Sequence, residues 1–428
     1  MAGVAYDILA LALERLSQRG FDAAEAQLTD TRRDELQAEF NRVSMLRTTN
    51  NRSLSLGGLV GGKRASATIN KCGSEDVFDA VDELWISANA AAEDEANTIA
   101  ERQPAGVFEA GPQSVDRELM YERLDEFLAH SATAHPTVIL GMVGITHELA
   151  SKRYMNSNGV DFRSSRGSYD AGAMFTARDG EDVSSFSYSG ANLNALDVPL
   201  SEIASFERLM NETAQHVRTE KVPGKFTGDM IITPDCLRSF LGFLLGNISG
   251  APMITGTSVY HGRRDEQVAS KLLTLSSKPT QMPGGYSITG DGFPATDLDV
   301  VEAGVLKQYL LDLYASRKTG LSAPAHSGGC YVVAPGETAL ADMIKYVDEG
   351  ILISRFSGGQ PSAKGDFSGV AKISFYIRDG EVRYPVSETM VSGNMVELLM
   401  NVVAVSRETV NFGSASFPWV RVTDVVIS

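Results

Sequence analysis

The chain has too few cysteines to be held together by them: Cys72, Cys236 and Cys330 are the only three in 428 residues, and they lie far apart. An odd count without paired spacing excludes a disulfide framework and suits a reducing compartment. No apolar run reaches about 18 residues, the length a membrane-crossing helix needs. The start, MAGVAYDILALALERLSQRG, lacks a basic leader and carries Asp7 and Glu14 inside its apolar pattern. It reads as an amphipathic helix with Val4, Ile8 and Leu11 on one face, not as a signal peptide. A soluble, cytoplasmic protein is therefore expected. Positive charge is also scarce, with 38 Lys and Arg against 54 Asp and Glu and a net charge of −16. Such a surface repels a phosphate backbone and gains nothing from counterion release, which argues against nucleic-acid binding.

Glycine, by contrast, is abundant at 40 residues, above average usage and a sign of many tight turns. The length suits two or three domains of roughly 100–200 residues each. After the opening helix, residues 33–68 have strand character. In SLSLGGLVGGKRASATIN, Leu54 and Leu56 alternate with serines, as do Ala65, Ala67 and Ile69 with Ser66 and Thr68. That pattern predicts two strands joined by a glycine-rich connection. Ser74 reads as the cap of a helix carrying Val77, Val81, Leu84, Trp85 and Ala88, with Glu75 and Asp76 in its first turn. Residues 93–118 read as a polar loop, 137–145 as a buried strand, and 201–218 as one helix. Segment 221–230, KVPGKFTGDM, has linker character. Beyond it, Thr233, Pro234 and Asp235 spell an N-cap, an N1 proline and a first-turn acid. The remainder, 287–313 and 351–427, is strand-like, with a helix near 340–347. The expected fold is α+β in two domains: an N-terminal α/β sandwich-like domain with an antiparallel sheet (1–225, including a middle region from about 120), and a β-rich C-terminal domain (226–428).

Few motifs carry chemistry. The histidines are His130, His135, His147, His216, His261 and His326. His147-Glu148 begins a zinc-helix pattern, but position 151 is Ser where a second histidine is needed. His130 and His135 are five apart and Pro136 ends any helix, so no metal site is expected. Gly57-x-x-x-x-Gly62-Lys63 resembles a phosphate loop, yet Arg64 replaces the magnesium-binding hydroxyl and a strand follows where a helix should. A hairpin is the better reading. There is no Gly-x-Ser-x-Gly nucleophile, no basic partner beside Cys236 or Cys330, and no calcium loop in the acidic run 291–299. Gly358-Gly359-Gln360 matches the tripeptide that release factors carry into the ribosome, a destination this acidic chain is unsuited to.

The stretch from Gly350 to Leu399, GILISRFSGGQPSAKGDFSGVAKISFYIRDGEVRYPVSETMVSGNMVELL, is the most informative. It resembles the C-terminal signature of the TldD/PmbA family, once called modulators of DNA gyrase. The resemblance extends to Asp291-Gly292 with Val305–Leu310 and to the Asn156–Gly159 turn, densely over 226–428 and more thinly over 30–220. Within that family one kind of subunit holds zinc through a His-Glu-x-x-x-His helix and a later cysteine. Here the corresponding helix reads LRSFLGFLLGNISG and the later stretch NFGSASFPWVRV, with none of those ligands. The chain is thus similar to the TldE/PmbA kind. The resemblance implies a subunit with no catalytic residue or cofactor of its own, paired with a zinc-bearing TldD-type partner to degrade or mature unfolded peptides. The strand-rich C-terminal domain would then offer edges for pairing with extended peptides. Ser357, Gly358, Gly359, Gln360, Gly365, Asp366, Phe367, Ser368, Ser392 and Gly393 are the expected peptide-contacting or chamber-lining positions, unless their glycines serve hairpin turns alone. The alternative is a stand-alone homodimer that binds peptides or regulates without cleaving.

Overall fold

A computed structural model describes residues 7–321, 328–387 and 389–428; Val4 and His326 fall outside them. In the N-terminal half the strands are β1 (Ala23–Glu39), β2 (Arg42–Val60), β3 (Lys63–Ile69), β4 (Gly106–Ala110), β5 (Val138–Asn156), β6 (Asp161–Asp179), β7 (Asp182–Val183) and β8 (Ser187–Leu193). They form one sheet in the order β3-β2-β1-β5-β6-β4, with β7 and β8 also on β6, antiparallel except for β4 against β6. Four helices, α1 (Ile8–Arg19), α2 (Ser74–Ala90), α3 (Arg117–Ala134) and α4 (Phe206–Gln215), bury the sheet in two pairs. Helices α1 and α2 cover Ala24, Ala26, Leu54 and Leu56, and α3 and α4 cover Leu36, Val143, Ala171 and Phe175.

Several elements depart from the sequence reading. The buried face of α1 is Leu9, Ala12 and Leu16, with Ile8 packed at its margin. The cap of α2 is Gly73, whose N–H donates to Asp76, and Ser74 is the first helical residue. Residues 93–118 are not all loop: β4 lies within them, and α3 starts at Arg117, where the Asp116 side chain accepts from Leu119 N–H. The single helix expected over 201–218 is a short 3-10 turn (Leu200–Glu202) and α4. They are separated at Ala204, whose φ of +49° no right-handed helix accommodates.

The C-terminal half comprises β9 (Phe226–Ile232), α5 (Pro234–Asn247), α6 (Gly250–Ile254), β10 (Leu275–Ser277), β11 (Leu298–Glu302), β12 (Val305–Leu306), α7 (Leu313–Thr319), β13 (Tyr331–Val333), α8 (Leu340–Lys345), β14 (Glu349–Gly358), β15 (Asp366–Arg378), β16 (Glu381–Val386), β17 (Thr389–Asn394), α9 (Met395–Met400), β18 (Val402–Asn411) and β19 (Ala415–Ile427). The expected strands over 287–313 reduce to β11 and β12. Strand order is β12-β11-β10-β13-β19-β17-β15-β14-β9, with β9 pairing back onto β19. Five strands, β9, β14, β15, β17 and β19, therefore close into a circuit. Helix α5 follows β9 directly, with Pro234 at N1 as expected and Thr233 at the N-cap position, where its hydroxyl makes no capping bond, and packs Leu237, Phe240, Leu241 and Leu244 into the largest core.

Two-residue hairpins recur: Phe40–Asn41, Gly61–Gly62, Ala303–Gly304 and Asp379–Gly380 all have positive φ at both positions. This is the turn whose twist matches that of the flanking strands, and it favours Asn and Gly. Phe40 is the misfit, with φ +48° and a side chain that is 72% exposed. Phe40→Asn should raise stability by about 1 kcal/mol, because asparagine tolerates the left-handed region that costs most residues about 1–2 kcal/mol. A urea midpoint that moved down would show that the ring packs after all.

The two halves touch along a long seam. His216 Nε2 meets the Ser374 carbonyl at 2.8 Å, Asn192 N–H donates to Phe412 O at 3.0 Å, and Arg166 Nη1 donates to Met282 O at 3.0 Å. Asp94 receives Lys318 Nζ at 2.8 Å and the Tyr314 hydroxyl at 2.9 Å. The Lys318 hydrogen bond, then the Ala96 N–H and Tyr314, hold the Asp94 carboxyl down at about 2. A depressed carboxyl contributes its stability above its ordinary value and loses it as pH falls from there through about 2. Asp94→Asn should therefore flatten the acid limb of a melting-temperature profile between pH 4 and 2; an unchanged limb would remove Asp94 from that role.

Candidate functional site

A cavity of about 310 Å³ opens on the seam. The N-terminal half contributes Tyr188, Ser189 and Gly190 from β8 and Leu209 from α4. The C-terminal half contributes Pro234, Asp235, Cys236, Arg238 and Ser239 of α5, Ser354, Arg355 and Phe356 of β14, and Phe412, Ser414, Ala415 and Phe417. Its position follows from local sequence: Pro234 starts α5 immediately after β9, so the first turn of the helix faces the gap that β8 closes from the other side.

A polar network ties the halves together at this place. Arg208 on α4 donates Nη1 to Glu212 at 2.6 Å and Nη2 to Asp235. Ser205 Oγ donates to Asp235 at 2.9 Å, and Ser354 Oγ to Glu212 at 2.8 Å. Burial pulls the Arg208 guanidinium down, but its two carboxylates outweigh that and raise it. Burial pushes the Asp235 carboxyl up, against the opposing pull of Arg208, the Ser205 hydroxyl and Arg355. Burial also drives the Cys236 thiol far above its usual range, so it is a poor nucleophile or metal ligand. Arg355 lies with Cζ 4.0 Å from the Tyr188 ring centre and 4.9 Å from that of Phe186. Its Nη1 is buried and has no hydrogen-bond partner among the described residues.

The residues expected to contact peptide gather at one end of β14, β15 and β17, where Phe367 pairs with Gly393 and Ser368 with Ser392. Ser357, Gly358, Gly359 and Gln360 are exposed, just past the three β14 residues that line the cavity. Phe367 belongs to the core, edge-on to Phe240 and Phe356. Asp366 accepts from Asn394 and Ser362, which hold its carboxyl low, and Gly365, at φ +98°, sits in the same turn. Strand β14 pairs with β15 through Gly358 but with β9 only over Gly350–Ile353, so among the described residues Ser354–Gly358 have a strand neighbour on one side only, beside the cavity. Sequence reasoning passed over Arg355, Arg238, Asp235 and Tyr188. The available signal was Arg355 itself, a lone charge in the apolar run ILISRF.

Other candidates resolve structurally. His147 lies in β5, buried, with Nε2 3.0 Å from Pro112 O. The Gly57–Lys63 segment is β2 running through a hairpin into β3. Asp291, Asp297 and Asp299 are spent separately on Leu313, Thr280 and Ser276. His130 and His135, unconnected in the sequence reading, are brought together by α4: their Nε2 atoms lie 2.8 and 3.0 Å from the two Glu207 oxygens. Among the described residues this is the group whose donor atoms could hold a metal, all within 4.8 Å of one another. Each imidazole is already matched to a carboxylate oxygen, so the group is also complete without one. At the cavity, the first turn of α5 does not fit zinc, since Asp235 is paired with Arg208, the Cys236 thiol is fully buried, and Arg238 is a cation.

Residues 224–428 match the PmbA/TldA metallopeptidase C-terminal domain. The C-terminal half of the chain thus carries a PmbA/TldD-type domain. Relatives include metalloprotease PmbA of Escherichia coli O157:H7, 25% identical over 236 residues covering 52% of each chain. A metalloprotease of Methanothermobacter thermautotrophicus is 25% identical over 343 residues, 76% of this chain and 73% of that one. The chain thus aligns with only about half the length of the E. coli relative. TldE from Thermococcus kodakarensis has the same fold, with a TM-score of 0.83 at 20% identity, covering 98% of this chain and 100% of that one. A Bacteroides thetaiotaomicron protein termed a modulator of DNA gyrase superposes with a TM-score of 0.84 at 21% identity, covering 98% of each chain. Among the described residues no helix is long and apolar enough to cross a membrane.

Proposed function

We propose that this chain is the subunit without a zinc site in a TldD/TldE-type metalloprotease, working on unfolded peptides with the metal supplied by a TldD-type partner. The observation that carries this is the chemistry of the seam cavity. Its helix α5 follows the strand as a zinc helix would, yet offers a neutralised carboxylate, an inert thiol and a guanidinium. The partnership draws support from an exposed apolar row across β5, β6 and β8. There Met142 pairs with Met174 and Met174 with Tyr188, leaving side chains 44%, 40% and 58% exposed. Exposed apolar surface of this kind, beside a cavity, is what a second subunit covers.

The test is cleavage of an unfolded peptide by the purified chain with zinc, and then with its TldD-type partner. Cleavage that requires the partner and stops with a chelator is the expected result. Cleavage by the chain alone would overturn the reading.

A further inference from the structure

We propose that the seam cavity holds the C-terminal residue of a peptide, with its carboxylate on Arg355 and its side chain on the apolar wall; this rests on the peptide-handling reading above. Charge comes first. Arg208 is shared by Asp235 and Glu212, and Arg355 and Arg238 stand at the same cavity. Three cations, with Arg238 at the exposed rim, face two carboxylates, so the cavity carries a net positive charge.

Geometry singles out Arg355 as the receiver of a ligand anion. Tyr188 and Phe186 hold the guanidinium by its faces, an arrangement that leaves the N–H edge for in-plane acceptors. On that edge Nη1 has no acceptor among the described residues, although a buried donor without a partner costs about 1–3 kcal/mol. A carboxylate matches the fork of a guanidinium with two parallel hydrogen bonds.

The rest of the cavity selects what the carboxylate is attached to. Leu209, Phe356, Phe412 and Phe417 supply an apolar wall, and Ser189 and Ser239 supply hydroxyls. An apolar last side chain suits that wall, and an incoming ammonium group would be repelled by Arg355 and Arg238. The occupant is thus the carboxyl end of a chain, not its amino end.

The experiment uses the full chain and two octapeptides of one unstructured sequence. Both end in Phe and carry a fluorophore at the N-terminus; one has a free carboxylate and the other a carboxamide. Anisotropy titration should show the acid binding at least tenfold tighter. Arg355→Gln should bring the acid to the level of the amide and leave the amide unchanged. Equal binding of both peptides to the native chain would overturn the carboxylate assignment while leaving peptide handling intact. Binding of neither would overturn both. Should Arg355→Gln fail to fold, the acid-to-amide ratio on the native chain still decides.

Discussion

Arg208→Ala will lower the unfolding free energy by about 3–5 kcal/mol, the range for removing one partner from a buried ion pair. The side chains of Asp235 and Glu212 are each only 11% exposed, and both depend on this guanidinium. Without it, two carboxylates face each other's field in a site water barely reaches, so the loss comes less from missing attraction than from stranded charge. The triple variant Arg208→Met, Asp235→Asn, Glu212→Gln should recover most of the loss, because it removes the charges together. Urea denaturation of the single and triple variants measures both effects. A single-variant loss under about 1 kcal/mol would mean the seam admits enough water to solvate both carboxylates.

Gly413→Ala should be comparably severe for a steric reason. A Cβ there would lie 1.7 Å from the carbonyl oxygen of Asn192 in the opposite half, and the residue has φ +68°. The oxygen belongs to backbone already fixed by the hydrogen bond from Asn192 N–H to Phe412 O, so nothing flexible can give way. Left-handed backbone costs about 1–2 kcal/mol for alanine, and overpacking adds about 1–3 kcal/mol. A loss near 3 kcal/mol is expected, together with weaker peptide binding, since Phe412 and Ser414 on either side line the cavity. Gly359→Ala is the matched control: a Cβ there meets nothing within 4 Å, and stability should stay within about 0.5 kcal/mol. Equal effects at the two positions would refute the steric argument.

What the sequence made legible was local. The alternation of Leu54, Leu56, Ala65 and Ala67 is a hairpin because a two-glycine turn closes it. Thr233-Pro234 begins a helix because proline fixes the first turn. The resemblance carried by residues 350–399 agrees with the domain matched over 224–428, because turns and strand ends there are written in contiguous residues. The site was legible only in part, for it is assembled across distance. Asp235 reads as a first-turn acid, and nothing near it announces Arg208, 27 residues away. His130 and His135 look unrelated until Glu207 arrives 77 and 72 residues later. Helix α3 was hidden by its polar start and by Pro112 just before it. The length of β5 was hidden as well, because its second half, THELASKRYMN, is largely polar.

The circuit of β9, β14, β15, β17 and β19 has a mechanical corollary. A flat sheet can be peeled from its outermost strand, one row of hydrogen bonds at a time. A ring has no outermost strand, so detaching any one of its strands breaks two rows at once. Amide exchange in those five strands should then report a single opening event shared by all of them, while β12, at the far end of the sheet, exchanges on its own. For a molecule proposed to handle unfolded chains, that is a useful asymmetry: the part nearest its guests is the part least able to join them.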